Sequence, residues 1–147
     1  MIVQVQSALC MRLRPFDRTV VQIEGDARSL TSLSALLLGA AAIAVERQCV
    51  SSIEIEILST IDKNRMIVKS IHETLSATSE GYDLLLTGSI RTLKNFALLI
   101  DQFVRDEMNS PQQDSHIHLD PTIDCEFMSL VSCEIIVFIT QRNTADC

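Results

Sequence analysis

The sequence contains one pattern of residues twice, 63 positions apart, and this repeat limits the possible folds more than any other feature. Placing Gly25 on Gly88 (88 − 25 = 63) superimposes the segments 20–38 and 83–101. Each segment has an apolar run, then a glycine, then leucines at three- and four-residue spacing, which predicts a strand followed by a helix. The other matched pairs are Ile23 with Leu86, Asp26 with Ser89, Arg28 with Arg91, Ser29 with Thr92, Leu30 with Leu93, Leu33 with Phe96 and Leu36 with Leu99.

Two further strands follow each predicted helix, so the repeated unit is β-α-β-β. The helices are expected at about 27–47 and 90–108, with Asp26 and Ser89 as their N-caps. The later strands are expected at 53–57 and 66–71 in the first copy, and at 117–120 and 132–140 in the second. The chain 1–147 is predicted to be a single domain with repeats at 18–71 and 82–140. The simplest assembly is an α+β two-layer sandwich, with one antiparallel or mixed sheet and both helices on one face.

Three details of this prediction concern the connections. The segment from Ile2 to Arg14 and the turn chemistry of 14–17 predict a hairpin with the next strand. Aligning Ile53 with Ile117 (117 − 53 = 64) gives the second copy one extra residue after its helix. The segment 78–81 is expected to be a surface connection between the copies.

Composition excludes several classes of function. The formal net charge of −7 repels phosphate backbones and anionic membranes, and aromatic residues at 4% are too few for a base-stacking platform, so neither nucleic acid nor membrane is an expected partner. The longest apolar run, 35–45, is shorter than the roughly 20 residues that a span requires. The start of the chain does not resemble a secretory signal, and the five cysteines lack regular spacing. We therefore expect a cytoplasmic protein with reduced thiols.

One strand carries side chains that bind metals elsewhere. His116, His118 and Asp120 alternate on one strand face, a spacing that can present three ligands to a divalent ion, with Cys125 or His72 as a fourth. The first copy has Ser52, Glu54 and Glu56 at the matching positions, which is the ordinary polar half of an amphipathic strand. The metal site therefore remains a weak hypothesis, and no cofactor is predicted.

The sequence offers no arrangement typical of an enzyme. It contains no nucleophile and base at recognisable spacing, no phosphate-binding glycine motif and no H-E-x-x-H motif, so we do not predict an enzyme. Arg28 and Arg91 recur at the second helical position, where a cation lies unfavourably against the positive end of the helix dipole. We expect each to form an ion pair within the fold, for example with Glu24 or Asp83.

Three motifs of the second copy resemble the immunity protein 32 family of bacterial polymorphic-toxin systems. They are the leucine-spaced helix after Gly88, the strand H-I-H-L-D-P at 116–121 and the terminal strand E-I-I-V-F-I at 134–139. The likeness extends over about 82–140, and the first copy keeps only the helix motif. The resemblance implies an inhibitor that binds a cognate toxin and blocks it sterically, with no cofactor and no turnover.

An acidic sheet face is the expected docking surface for such a partner. If the aliphatic residues of both strands face the helices, the side chains of Glu54, Glu56, His116, His118 and Asp120 lie on the uncovered side of the sheet.

Two alternative functions remain. One is a self-associating structural or adaptor protein, a homodimer built through that face or through an edge strand such as 66–71. The other is a metal-dependent enzyme that uses His116, His118 and Asp120.

Overall fold

The structure, a computed structural model, describes residues 2–15, 19–46, 52–70, 74–80, 83–110, 115–124, 126–129 and 132–140. These residues form two helices and nine strands. In chain order they are β1 (Ile2–Leu9), β2 (Met11–Pro15), β3 (Val20–Gly25), α1 (Ala27–Glu46), β4 (Ser52–Ser59), β5 (Arg65–Ser70), β6 (Ser76–Glu80), β7 (Asp83–Gly88), α2 (Ile90–Asn109), β8 (His116–Leu119) and β9 (Glu134–Ile139).

The strands form two mixed sheets. The five-stranded sheet has the order β1-β4-β5-β7-β6, and the four-stranded sheet has the order β2-β3-β9-β8. The pairs β1–β4, β5–β7 and β3–β9 are parallel, and the other neighbours are antiparallel. The predicted α+β class with mixed strand pairing is confirmed. The strands are nevertheless divided between two sheets, whereas the sequence led us to expect one.

Two of the expected connections differ from the structure. The predicted hairpin is present between β2 and β3, where Arg14 lies opposite Gln22, but β1 joins the other sheet beside β4. The predicted surface connection at 78–81 is wrong where the structure describes it, because residues 76–80 form β6 and pair with β7.

Each sheet combines strands from both halves of the sequence. The β2–β3 hairpin pairs with β9 of the second half, and the β6–β7 pair joins β5 of the first half. When β2-β3-β9-β8 is matched with β6-β7-β5-β4, both sheets show the same order and the same sense of pairing. The two 20-residue helices begin 63 positions apart (90 − 27 = 63). These correspondences support the predicted repeat, which stays a prediction.

The sheet register corrects the alignment of the strands that follow the helices. On the four-stranded sheet, Ile117 and Ile23 pair with the same residue of β9, one from each side. On the five-stranded sheet, Ile55 and Leu86 likewise pair with the same residue of β5. Since Leu86 and Ile23 correspond, Ile55 corresponds to Ile117, at an offset of 62 (117 − 55 = 62). The register therefore favours an offset of 62 over the predicted match of Ile53 with Ile117. With this offset, the predicted second copy has one residue fewer in this connection, where the sequence alignment gave one more.

The helices cross where their small residues meet. The hydroxyl of Ser34 on α1 donates a hydrogen bond of 2.8 Å to the carbonyl oxygen of Ala97 on α2, and both residues are buried. The two positions are 63 apart (97 − 34 = 63), so corresponding points of the helices touch. One apolar cluster fills the space between the helices and the sheets. Its largest fully buried side chains include Phe96, Met11, Leu13, Ile23, Leu30, Leu33, Ile55, Ile57 and Ile100.

Loops close the free side of two edge strands. On β2, the amide of Leu13 donates to Asp62 (2.9 Å), and its carbonyl oxygen accepts from the side-chain amide of Asn64 (2.7 Å). On β6, the carbonyl oxygen of Ala77 accepts from the amide of Cys133 (2.8 Å). These contacts satisfy backbone groups that an open edge would leave to solvent. The remaining edges among the described strands are β1 and β8.

Both predicted N-caps are confirmed. The carboxylate of Asp26 accepts a hydrogen bond of 2.8 Å from the amide of Ser29, and the hydroxyl of Ser89 accepts one of 3.0 Å from the amide of Thr92. Each cap satisfies an amide that has no partner within its helix.

Replacing Asp26 with alanine is expected to lower the free energy of unfolding by about 1 kcal/mol, because the cap to the Ser29 amide is lost. Asp26→Ser keeps an acceptor oxygen at this position and is expected to recover most of that loss. Urea unfolding of the two variants provides the measurement. Equal stability of both variants would show that the cap contributes nothing.

The expectation of reduced thiols is wrong for Cys10. It is disulfide-bonded. Cys133 is buried and forms no disulfide. Disulfides are typical of oxidising compartments.

One described helix is long and apolar enough to cross a membrane, judged by length and composition alone. It is α1, over Ala27–Ala44, and 44% of that segment is buried inside the fold. The same helix packs against α2 and contacts β1, β3 and β4. The buried residues of α1 include the predicted stripe of Leu30, Leu33, Leu37, Ala40, Ala41 and Ala44.

Candidate functional site

The structure places the five predicted docking residues in two separate sheets. Glu54 and Glu56 lie on β4 of the five-stranded sheet. His116 and His118 lie on β8 of the four-stranded sheet, and Asp120 follows that strand. The prediction of a single shared open face is therefore wrong, because it assumed a single sheet. The two glutamates share one strand and the two histidines share another, but these strands belong to different sheets.

The five-stranded sheet presents the two glutamates on its outer surface. Ile53, Ile55 and Ile57 of β4 are buried, so the alternate residues point away from the core. In the parallel pairing, Gln4 lies beside Glu54 and Gln6 beside Glu56. These four residues and Val5 line an open depression of about 470 Å³. We call this surface the acidic face and define it by Gln4, Gln6, Glu54 and Glu56.

The two carboxylates of the acidic face differ in their partners. The guanidinium of Arg65 bonds Asp83 at 2.8 Å and Glu56 at 3.2 Å. These hydrogen bonds, that to Asp83 first, raise the pKa of Arg65 above its ordinary value. Glu54 lies opposite Lys69 on β5 but forms no ion pair within the part of the chain that the structure describes. Glu54 is therefore free to receive a cation from outside the protein.

The imidazoles of β8 already contact neighbouring side chains. Nε2 of His118 lies 3.0 Å from a carboxylate oxygen of Glu134 on β9. The ring of His116 packs beside that of Phe138, with 4.9 Å between the ring centroids. Both contacts tie β8 to β9 and reduce the freedom of these side chains to turn toward an added ligand.

Asp120 stabilises the turn after β8. Its carboxylate accepts hydrogen bonds from the hydroxyl of Thr122 (2.7 Å) and from the Thr122 amide (2.8 Å). These bonds to the charged form lower the pKa of Asp120 below its ordinary value. This side chain is the acceptor of a common turn geometry, in which an aspartate bonds its own backbone two residues on.

The hypothesis of a metal site gains no support from these positions. Within the described ranges, no group of three or more His, Cys, Asp or Glu side chains could hold a metal ion. The suggested fourth ligands, His72 and Cys125, lie outside the described residues.

Within the predicted repeat, the sheet register aligns these two groups with each other. Glu54 corresponds to His116 and Glu56 to His118, because the offset of these strands is 62. The sequence alignment had matched Glu54 with His118 and Glu56 with Asp120. The predicted repeat thus matches two carboxylates on one sheet with two imidazoles on the other.

The two recurring arginines lack the internal ion pairs that we predicted. Asp83 pairs with Arg65, and neither Arg28 nor Arg91 forms an ion pair among the described side chains. Both are exposed, and each lines a depression at the start of its helix, of about 260 Å³ beside Arg28 and about 730 Å³ beside Arg91. The prediction of ion pairs to Glu24 or Asp83 is therefore wrong.

Sequence reasoning missed the contribution of β1 to the acidic face. The alternation of Gln4 and Gln6 with valines indicated a strand with one polar side. It did not indicate that β1 would pair with β4 more than 40 residues away, where Gln4 lies beside Glu54 (54 − 4 = 50). Parallel pairing depends on the whole fold and leaves no local signal.

The chain matches no protein-family model, no curated protein and no solved structure. The resemblance to the immunity protein 32 family therefore rests on the motifs quoted above, and function has to be argued from the acidic face.

Proposed function

We propose that this chain is an immunity protein that binds a cognate bacterial toxin and neutralises it by steric occlusion, without cofactor or turnover. The observation that carries the proposal is the acidic face, an open depression on the outer surface of the five-stranded sheet. Gln4 and Gln6 are exposed, and Glu54 and Glu56 are partly exposed. A broad sheet face with accessible charges suits recognition by complementarity of shape and charge.

Charge favours a basic partner. The chain carries a formal net charge of −7, and Glu54 adds an unpaired carboxylate to the lining of the depression. A negative field of this kind accelerates the encounter with a positively charged protein and repels other anions. A toxin whose active surface is basic would dock with that surface against the acidic face, and its substrate would then be excluded.

Reversing the charge of the acidic face tests the proposal. The variant Glu54→Lys/Glu56→Lys is expected to bind the toxin at least about tenfold more weakly, because close charge pairs across interfaces contribute roughly 1.5 kcal/mol or more. The toxin to use is the product of a large toxin-like gene next to that of this chain. Titration calorimetry with a catalytically inactive toxin gives the affinity, and growth of cells that express the active toxin gives the protection.

The matched control is Asp106→Lys/Glu126→Lys, which changes the net charge by the same amount at two exposed acids elsewhere. We expect this control to keep most of the affinity. Equal weakening by both variants would assign the effect to net charge alone, and full affinity of the Glu54/Glu56 variant would remove the acidic face from the proposal. Thermal unfolding should show all three proteins folded, because exposed pairs such as Glu56–Arg65 contribute at most about 1 kcal/mol.

Self-association remains the second candidate, and the open edge at β1 favours it. The edge strand first suggested for a homodimer, 66–71, is not an edge, because β5 lies between β4 and β7. A molecular mass that doubles with concentration in the absence of any other partner would support this candidate.

The proposal places the encounter with the toxin in the cytoplasm. The disulfide of Cys10 is more typical of oxidising compartments, so the redox state of Cys10 in the producing cell is informative. Thiol labelling of a rapidly acidified lysate reports that state. A fully oxidised Cys10 would move the encounter outside the cytoplasm without changing the acidic face.

A further inference from the structure

β1 has an open side along most of its length. A strand at the edge of a sheet directs about half of its backbone amides and carbonyls to its neighbour and the rest outward. Thr60 bonds the carbonyl oxygen of Leu9 at the end of β1. Within the described part of the chain, no group outside β4 bonds the backbone of residues 2–8. The outward groups of these residues form a template for another strand.

β1 also lacks the features that commonly protect an edge. Its sequence, I-V-Q-V-Q-S-A-L, contains neither a charged residue nor a proline, and it pairs with β4 over eight consecutive residues without a bulge. The other open edge, β8, has four residues, two of which are histidines, and Pro121 follows soon after its end. Loops cover β2 and β6. The long, regular and uncharged edge is therefore β1.

The acidic face determines which kind of strand fits this edge. A strand added to β1 would lie about 4.8 Å from it and about 10 Å from β4. The long side chains of lysine or arginine at alternate positions can extend over Gln4 and Gln6 to reach Glu54 and Glu56. The depression of about 470 Å³ provides the space for them. Two copies of β1 would instead bring the glutamates of two acidic chains toward each other.

From this geometry we infer that β1 takes an extended segment of the partner protein as a sixth strand, with lysine or arginine at alternate positions above Glu54 and Glu56. Backbone hydrogen bonds to β1 supply the affinity, and the carboxylates select the basic side chains, as in other cases of strand addition. The inference rests on the proposed function, because it names the part of the toxin that the acidic face recognises.

The test uses a short capped peptide in which lysine alternates with valine, titrated into the isotopically labelled full chain and followed by amide chemical shifts. We expect saturable shifts in β1 and β4. We also expect at least about tenfold weaker binding to Glu54→Lys/Glu56→Lys, and little change with Asp106→Lys/Glu126→Lys. Absence of saturable binding, or shifts centred on β8 or the helices, would overturn the inference.

Two further peptide pairs separate strand addition from simple charge attraction. A peptide with glutamate in place of lysine is expected not to bind. Peptides N-methylated at alternate residues lose their amide donors along one edge only, so one of the two methylated series should bind and the other should not. Equal binding of both series would overturn strand addition, and a dimer of the chain without peptide would assign the edge to a second copy.

This assay contains no toxin, so it fails independently of the proposed function. If the peptides do not bind while the Glu54/Glu56 reversal still abolishes protection against the toxin, the strand addition is wrong and the acidic face remains the docking surface. If the peptides bind but the reversal leaves protection intact, the immunity function is wrong at this face.

Discussion

Replacing Phe96 with alanine is expected to lower the free energy of unfolding by about 3 to 5 kcal/mol. Phe96 is the largest of the fully buried side chains, with 0% of its surface exposed, and it belongs to the core cluster beneath the helices. Its truncation removes apolar contacts and leaves a cavity that the surrounding aliphatic side chains fill only in part. Domains of this size have total stabilities of roughly 5 to 15 kcal/mol, so the variant should lose a large part of its stability.

Leu98→Ala is the matched control on the same helix. Leu98 is 46% exposed, two residues from Phe96, and its truncation is expected to change stability by less than about 1 kcal/mol. Urea unfolding followed by circular dichroism measures both variants. A loss of similar size at Leu98 would mean that α2 presents a different face to the core, and a small loss at Phe96 would contradict the described packing.

Replacing Ser34 with leucine is expected to cost on the order of 2 to 4 kcal/mol. The hydroxyl of Ser34 bonds the carbonyl oxygen of Ala97 at 2.8 Å, and only 2% of Ser34 is exposed. The leucine side chain has two more heavy atoms than that of serine, and adding such bulk where the helices meet closely costs roughly 1 to 3 kcal/mol in packed cores. It also removes the hydrogen bond to Ala97, which contributes about 1 kcal/mol.

The neighbouring substitution Ala35→Leu adds bulk at an exposed position of the same helix. We expect it to change stability by less than about 0.5 kcal/mol, as substitutions at exposed positions usually do. Urea unfolding of both leucine variants and of Ser34→Ala separates crowding from the lost hydrogen bond. If Ser34→Leu and Ala35→Leu were equally tolerated, the helices would not cross at Ser34 and Ala97.

Features encoded in short stretches of sequence were predicted well. The starts of both helices follow from Asp26 and Ser89, whose side chains accept backbone amides in the first turn. The buried stripe of α1 follows from leucines and alanines at helical spacing, because an aliphatic stripe has to face the core. The outward direction of Glu54 and Glu56 follows from the alternation of β4 with its buried isoleucines.

Features that depend on distant partners were not predictable from these patterns. Alternation shows that a segment is a strand, but it does not identify the neighbouring strand, so the division into two sheets was missed. The same limit explains why β5 was expected at an edge and lies inside a sheet. It also explains why His116 and Glu54, equivalent in the repeat, were expected on one face and lie in different sheets.

The candidate site was therefore predicted in part. The carboxylates of Glu54 and Glu56 were identified from the sequence, whereas the contribution of Gln4 and Gln6 required the pairing of β1 with β4. A turn beginning at Asp120 was also predictable, since aspartate before a proline favours turn initiation. The sequence did not indicate that the Asp120 carboxylate bonds Thr122 within this turn.

The exchange of strands between the halves has a consequence for the growing chain. β3 is synthesised early, whereas its parallel neighbour β9 comes much later in the sequence. Val20 of β3 pairs with Glu134 of β9, 114 residues further on (134 − 20 = 114). At a synthesis rate of about 5 to 20 residues per second, β3 waits roughly 6 to 23 s for that neighbour. During this interval one side of an apolar strand is open to other chains in the crowded cell. The last of the described strands completes the four-stranded sheet, so the nascent chain carries an unpaired, aggregation-prone edge until β9 has been made.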